Sequence, residues 1–169
     1  MSGLLQAFAE GFLNPLLTPA HGLTLLALAL CVGQQKQRGA ALLVFALALA
    51  VGFLAIVLAV ETTPARMVLL ADAAVLGVMA AAAWAPTPLV WLLAATAGTT
   101  LALDSPPQAV TIAAAYATLA GTVLGAFAML VVVATVAGQA YAEWQRLGVR
   151  ILGSWIAASA ILVLAVQLR

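Results

Sequence analysis

The chain has 169 residues, of which 66% are hydrophobic and 7% are charged, and its mean hydropathy is +1.21. The surface of a soluble protein of this size needs many more charged residues than these. The composition therefore predicts an integral membrane protein. A net charge of +1 from scattered basic residues argues against nucleic acid as a partner. The length predicts a single membrane domain over residues 1–169, surrounded by the lipid bilayer.

Six apolar runs, separated by short segments rich in charges and prolines, predict a polytopic bundle of about six transmembrane helices. An all-α fold is expected because an open strand in lipid leaves its backbone groups without hydrogen-bond partners. The fourth run has about 15 residues and would give roughly 22 Å of helix, so it is either a span or a re-entrant segment. In chain order the predicted spans are Leu17–Gly33, Ala40–Val60, Met67–Trp84, Leu89–Leu103, Ala109–Ala137 and Val149–Gln167.

Basic residues are distributed unevenly over the predicted loops. The loops at 34–39 and 142–148, with the start of the following span, contain four of the six Lys and Arg residues. By the positive-inside rule these loops are cytoplasmic, and both termini then lie on the outer (periplasmic) side. The four residues are Lys36, Arg38, Arg146 and Arg150.

This orientation gathers polar side chains at the predicted outer face. They are Glu10, His21, Glu61 and Asp104. Imidazole and carboxylate groups together bind divalent first-row metal ions, so the cluster predicts a weak metal site. By itself, His21 near a helix start is more typical of a packed or interfacial histidine than of a ligand.

Asp72 is the one acidic residue placed well within a predicted span. A carboxylate in the membrane is unfavourable unless it is protonated, paired or hydrated, which makes Asp72 a functional candidate. The alternative is a structural carboxyl group, protonated or hydrogen-bonded to a neighbouring helix. If the helix reached back to Glu61, the two side chains would share a face about 16 Å apart.

Small residues recur at every fourth position in two predicted spans and favour close helix packing in lipid. They are Ala73, Gly77 and Ala81 in the third span and Ala117, Gly121 and Gly125 in the fifth. The sequence contains no Cys-x-x-Cys pair, no glycine-rich phosphate loop and no second histidine. An enzyme is therefore not expected.

The stretch FLNPLLTPAHGLTLLALALCVGQQ at 12–35 resembles the first-helix signature of the HupE/UreJ family of small membrane proteins. That signature runs roughly G-F-x-H-P-L-x-G-P-D-H-L-L and continues as an apolar helix. Two further segments, VETTPAR at 60–66 and RLGVRILGSWIAASAILVLA at 146–165, resemble later parts of the family pattern. The resemblance covers nearly the whole chain, and it implies about six helices, an outward N-terminus and a secondary permease for nickel or cobalt.

The metal-binding motifs of the family carry over only in part. The H-x5-D-H motif falls on Asn14, Ala20 and His21, so one of its two histidines is kept. The F-H-G-x-A-H-G-x-E motif can be placed loosely on TAGTTLALD at 96–104, where Asp104 replaces the final glutamate and both histidines are absent. Oxygen donors alone bind Ni²⁺ or Co²⁺ less tightly and less selectively than imidazole does.

Two hypotheses follow. In the first, the protein is a secondary transporter of a divalent cation such as Ni²⁺ or Co²⁺, which enters between Asn14, His21, Glu61 and Asp104 and then meets Asp72. In the second, the protein is a HupE/UreJ-like scaffold that has lost its site and acts as an accessory subunit of a larger membrane complex. Other membrane subunits, or further copies of the same chain, are the partners expected in that case.

Overall fold

The computed structural model describes residues 2–58, 65–105 and 111–167. In these ranges the chain forms helices and no strand, which confirms the predicted all-α class. The helices are α1 (Ser2–Leu17), α2 (Pro19–Gly33), α3 (Arg38–Val57), α4 (Ala65–Ala82), α5 (Thr87–Leu103), α6 (Ile112–Ala137) and α7 (Glu143–Gln167).

Several of these helices have the length and apolar composition of membrane spans. Four of them, α3, α4, α6 and α7, are long and apolar enough to cross a membrane. A fifth span results if α1 and α2 together form one broken crossing. Helix α5 is apolar but has only 17 residues. The chain is therefore a helical membrane protein, and the number of six spans remains a prediction.

The first part of the chain differs from the predicted single span Leu17–Gly33. It contains an additional helix, α1, and the axes of α1 and α2 meet at an angle of 70°. The break falls at Thr18, whose backbone is extended with φ −91° and ψ 112°. A residue before proline disfavours the helical conformation, and Pro19 lacks the N–H that a continuing helix would need. Pro19 instead occupies the first position of α2, where a missing N–H has no consequence.

Helix α2 is the centre of the bundle. Eleven of its fifteen residues are buried, and it contacts each of the other six helices. Three side chains of α2 donate hydrogen bonds to backbone oxygens of α4. In each bond the donor and the acceptor residue are 45 or 46 positions apart in the sequence, so the two helices run parallel. These bonds are Thr24 Oγ1 to Leu69 O (2.8 Å), Cys31 Sγ to Leu76 O (3.2 Å) and Gln34 Nε2 to Ala80 O (3.5 Å).

The glycines of the two rows of small residues lie at helix contacts, as predicted. A Cβ atom at Gly77 of α4 would lie 2.7 Å from the backbone nitrogen of Ala157 in α7. A Cβ atom at Gly121 or Gly125 of α6 would overlap backbone oxygens of α1. Backbones this close exclude larger side chains, so glycine is required where α4 meets α7 and where α6 meets α1.

The basic segments at 34–39 and 142–150 meet at one end of the bundle, where Arg38, Arg146 and Arg150 line the same cavity. The predicted loop at 142–148 is wrong, because α7 begins at Glu143 rather than at Val149. Gln145 accepts a hydrogen bond from the backbone N–H of Ala142 at 3.0 Å and so caps the helix start. The side of the membrane that this end faces remains a prediction.

Candidate functional site: the His21–Asp104 pair

Two of the predicted metal ligands lie in direct contact. The Nε2 atom of His21 is 2.9 Å from Oδ2 of Asp104. The side chain of His21 is 1% exposed and that of Asp104 is 24% exposed. In the part of the chain that the structure describes, no other acidic and basic side chains form an ionic contact.

Both residues are positioned by helix ends. His21 lies in the first turn of α2, which closes when the N–H of Gly22 donates to Thr18 O at 2.9 Å. Asp104 directly follows α5, and its own N–H donates to Thr100 O at 2.9 Å. Both side chains are therefore attached to helix ends whose backbones are fixed by hydrogen bonds.

Two polar atoms near the pair lack partners. His21 Nδ1 and Ser105 Oγ are both buried, and neither has a hydrogen-bond partner among residues 2–58, 65–105 and 111–167. Buried polar atoms in folded proteins are nearly always hydrogen-bonded to protein or to ordered water. Each of these two atoms therefore has hydrogen-bonding capacity that the described residues do not use.

Asn14 and Glu10, two other polar residues predicted at the outer face, make hydrogen bonds to near neighbours in the chain rather than to the pair. Asn14 lies near the end of α1, where its Oδ1 accepts a hydrogen bond from Thr18 Oγ1 at 3.1 Å. Glu10 is exposed on α1 and accepts from Gln6 Nε2 at 3.0 Å. Glu61 lies outside the described residues. The site as described thus consists of one imidazole and one carboxylate.

Asp72 lies deeper in the bundle than the pair. Its side chain is buried, and its Oδ2 atom has no hydrogen-bond partner in the described ranges. The α2–α4 register places Asp72 level with Ala27, six residues beyond His21, which is about 9 Å along the helix axis.

Helix α5 gives a similar depth for Asp72. Thr96 of α5 lies beside the Asp72 carboxyl group, and its hydroxyl donates to Leu93 O at 3.1 Å. Thr96 precedes Asp104 by eight residues, about 12 Å of helix. Two helices therefore agree that Asp72 is one step further into the bundle than the pair.

Threonine hydroxyls occur at intermediate depth and were missed by the sequence reasoning. Thr24 Oγ1 donates to Ala20 O at 2.7 Å as well as to α4, and Thr100 Oγ1 donates to Thr96 O at 2.6 Å. Such bonds satisfy the hydroxyl hydrogen and leave the oxygen lone pairs free to accept or to coordinate. The run TAGTT at 96–100 was the available signal.

The described residues bring fewer side-chain donors together than a resident metal centre needs. In the ranges that the structure describes, no three His, Cys, Asp or Glu side chains come close enough together to hold a metal ion. Among the described residues, a divalent ion at the pair could find further ligands only in backbone and hydroxyl oxygens, with water as the other source. Such a site favours weak and exchangeable binding over permanent retention.

The fold and this site together define a multi-pass helical membrane protein with a histidine–carboxylate pair near one end and a buried carboxyl group beneath it. No protein-family model, no curated protein and no solved structure matches the chain.

Proposed function

We propose that the protein is a HupE/UreJ-like secondary transporter that carries a divalent transition-metal cation, such as Ni²⁺ or Co²⁺, across a bacterial inner membrane. The observation that carries the proposal is the 2.9 Å contact between His21 and Asp104, which lie 83 residues apart in the chain. An imidazole nitrogen and a carboxylate oxygen at this distance can bind the same ion, since both are ligands of divalent first-row metals.

The difference in exposure suggests an order of contacts. Asp104 is the more exposed partner and would meet a hydrated cation first, and its negative charge would attract that cation. His21 Nε2, which donates its proton to Asp104 Oδ2 in the hydrogen bond, would bind the ion only after that proton has moved to Nδ1 or to water, because the ion needs the Nε2 lone pair. Binding of the cation is therefore expected to compete with protons.

Asp72 gives the cation a second anionic contact deeper in the bundle. A buried carboxyl group is unfavourable in lipid, Asp72 Oδ2 has no partner among the described residues, and residues of this kind mark ion pathways in membrane proteins. The roughly 9 Å between the levels of His21 and Asp72 is short enough for hydroxyl oxygens or water to bridge. We interpret the pair and Asp72 as successive steps of one path.

The alternative function is a non-transporting scaffold or accessory subunit of a larger membrane complex. It is favoured by the small number of donors, since the described ranges contain no cluster of three ligands. A scaffold would need the helix contacts but not the carboxylates. The two functions therefore differ in what they require of Asp104 and Asp72.

Accumulation of ⁶³Ni²⁺ or ⁵⁷Co²⁺ by cells that express the chain separates the two functions. We expect His21→Ala and Asp104→Asn each to lower accumulation at least tenfold at equal amounts of protein in the membrane. Glu10→Gln is the matched control, since it removes an exposed carboxylate on α1 and should leave accumulation unchanged. Unchanged accumulation in both site variants, together with a fixed set of co-purifying membrane subunits, would favour the scaffold.

A further inference from the structure

The end of the bundle opposite the His21–Asp104 pair contains a cavity of about 470 Å³, here termed the basic pocket. Its lining includes Arg38, Arg146 and Arg150 and no acidic residue. None of these arginines has a carboxylate within 4.0 Å in the ranges that the structure describes. The basic pocket therefore holds three permanent positive charges without a described counter-ion.

The guanidinium groups in the basic pocket are held in place by the backbone. The Nε atom of Arg146 donates to Ala140 O at 3.3 Å, and that of Arg150 donates to Ala81 O at 2.8 Å. A guanidinium has five N–H donors. The Nη groups of Arg146 and Arg150 have no acceptor among the described residues, so each arginine is anchored at Nε and has its terminal N–H groups available.

Arg38 has a different position in the same pocket. Its Nε donates to Gln35 O at 3.3 Å and its Nη2 to Gly138 O at 3.1 Å, so it joins the end of α2 to the end of α6. Fixed, forked N–H donors match the oxygens of a phosphate group better than a flexible ammonium does. The chemistry of the basic pocket therefore points to a phosphate-bearing anion.

A second cavity of about 420 Å³ adjoins the basic pocket and lies between α6 and α7. We term it the apolar groove, and its lining includes Leu30, Val133, Val136 and Leu152. Ala137, Ala140 and Val149 line both cavities, so the two lie side by side. Trp144 stands at this groove in the first turn of α7, and indole rings favour the headgroup level of a membrane.

We propose that the basic pocket and the apolar groove together bind one anionic phospholipid. Its phosphate would lie against Arg146 and Arg150, and one acyl chain would follow the groove between α6 and α7. A zwitterionic lipid also carries a phosphate, but its cationic headgroup would be repelled by three arginines. Basic pockets between transmembrane helices bind anionic headgroups by this combination of charge and apolar contact. This proposal does not depend on the transport function.

Lipid titration of the delipidated, purified full chain in detergent, followed by native mass spectrometry, tests the proposal. We expect phosphatidylglycerol to bind at least tenfold more tightly than phosphatidylcholine with the same acyl chains. The double variant Arg146→Gln/Arg150→Gln should lose about fivefold in phosphatidylglycerol affinity per arginine. Arg66→Gln, which removes an exposed arginine of α4, is the control and should bind as the unmodified chain does.

Three outcomes would overturn the lipid site. The first is equal binding of phosphatidylglycerol and phosphatidylcholine, and the second is an undiminished phosphatidylglycerol affinity in the double variant. The third is complete displacement of phosphatidylglycerol by millimolar inorganic phosphate, which would indicate a site for a free anion. A second variant, Leu152→Trp, fills the apolar groove and leaves the arginines in place. It should weaken lipid binding as well, and unchanged binding would contradict an acyl chain in the groove.

Discussion

Removal of the Asp104 carboxylate should destabilise the protein through His21. His21 is 1% exposed, and its Nδ1 already lacks a partner in the described ranges. Asp104→Ala would leave Nε2 without its acceptor as well, so a buried ring would have no described hydrogen bond. A buried polar group without a partner costs about 1–3 kcal/mol, and we expect the free energy of unfolding to fall by about that amount.

A double-mutant cycle measures the contact itself. His21→Ala, Asp104→Ala and the double variant would be unfolded with SDS in detergent micelles and followed by circular dichroism. A direct hydrogen bond between the two side chains predicts a coupling energy of about 1–2 kcal/mol. Glu10→Ala, at an exposed position, should change the stability by less than about 0.5 kcal/mol. A coupling energy below about 0.5 kcal/mol would refute a direct contact.

Further substitutions test the helix contacts, a helix end and the deep carboxyl group. Gly153→Ala should lower stability by about 1–3 kcal/mol, because the new Cβ would lie 2.7 Å from the backbone nitrogen of Ala81. A Cβ atom at Gly148 in the same helix would have no atom within 4 Å, so Gly148→Ala should raise stability by up to about 1 kcal/mol. Similar changes in melting temperature for the two variants would contradict close packing of α4 against Gly153. Ala83 at the end of α4 has a φ of 53°, in the left-handed region that favours glycine. Ala83→Gly should therefore raise the free energy of unfolding by about 1 kcal/mol in a thermal melt. An unchanged stability would contradict a left-handed conformation at this residue. Asp72→Asn should fold normally but lower cation accumulation at least tenfold, and unchanged accumulation would remove Asp72 from the path.

Much of the fold could be predicted from hydropathy and loop charge. Apolar runs bounded by prolines gave helices near their observed positions, because in lipid the backbone can satisfy its hydrogen bonds locally only in a helix. The recurrent glycines predicted close contacts between helices but not which helices are in contact. Helix α1 was missed because Gln6 and Glu10 interrupt its apolar character. Pro19 accounts for the position of the break at Thr18, but not for the 70° angle between α1 and α2.

The sequence predicted which end of the bundle the candidate site lies at, but not which side chains are in contact there. The charge rule placed His21 and Asp104 at one end of the bundle, but their 2.9 Å contact depends on how α2 packs beside α5. The depth of Asp72 likewise required the α2–α4 register. The basic pocket was not predicted at all, since Arg38 and Arg150 are far apart in the chain and were used only to orient it.

Uptake of Ni²⁺ or Co²⁺ into liposomes that contain only the purified protein tests the central claim most directly. Transport through the His21–Asp104 pair predicts uptake well above that of protein-free liposomes, and at least a tenfold loss in His21→Ala and in Asp104→Asn. Glu10→Gln should transport at the unmodified rate. Uptake no greater than in protein-free liposomes, or equal uptake by the unmodified protein and both site variants, would contradict a cation path through the pair.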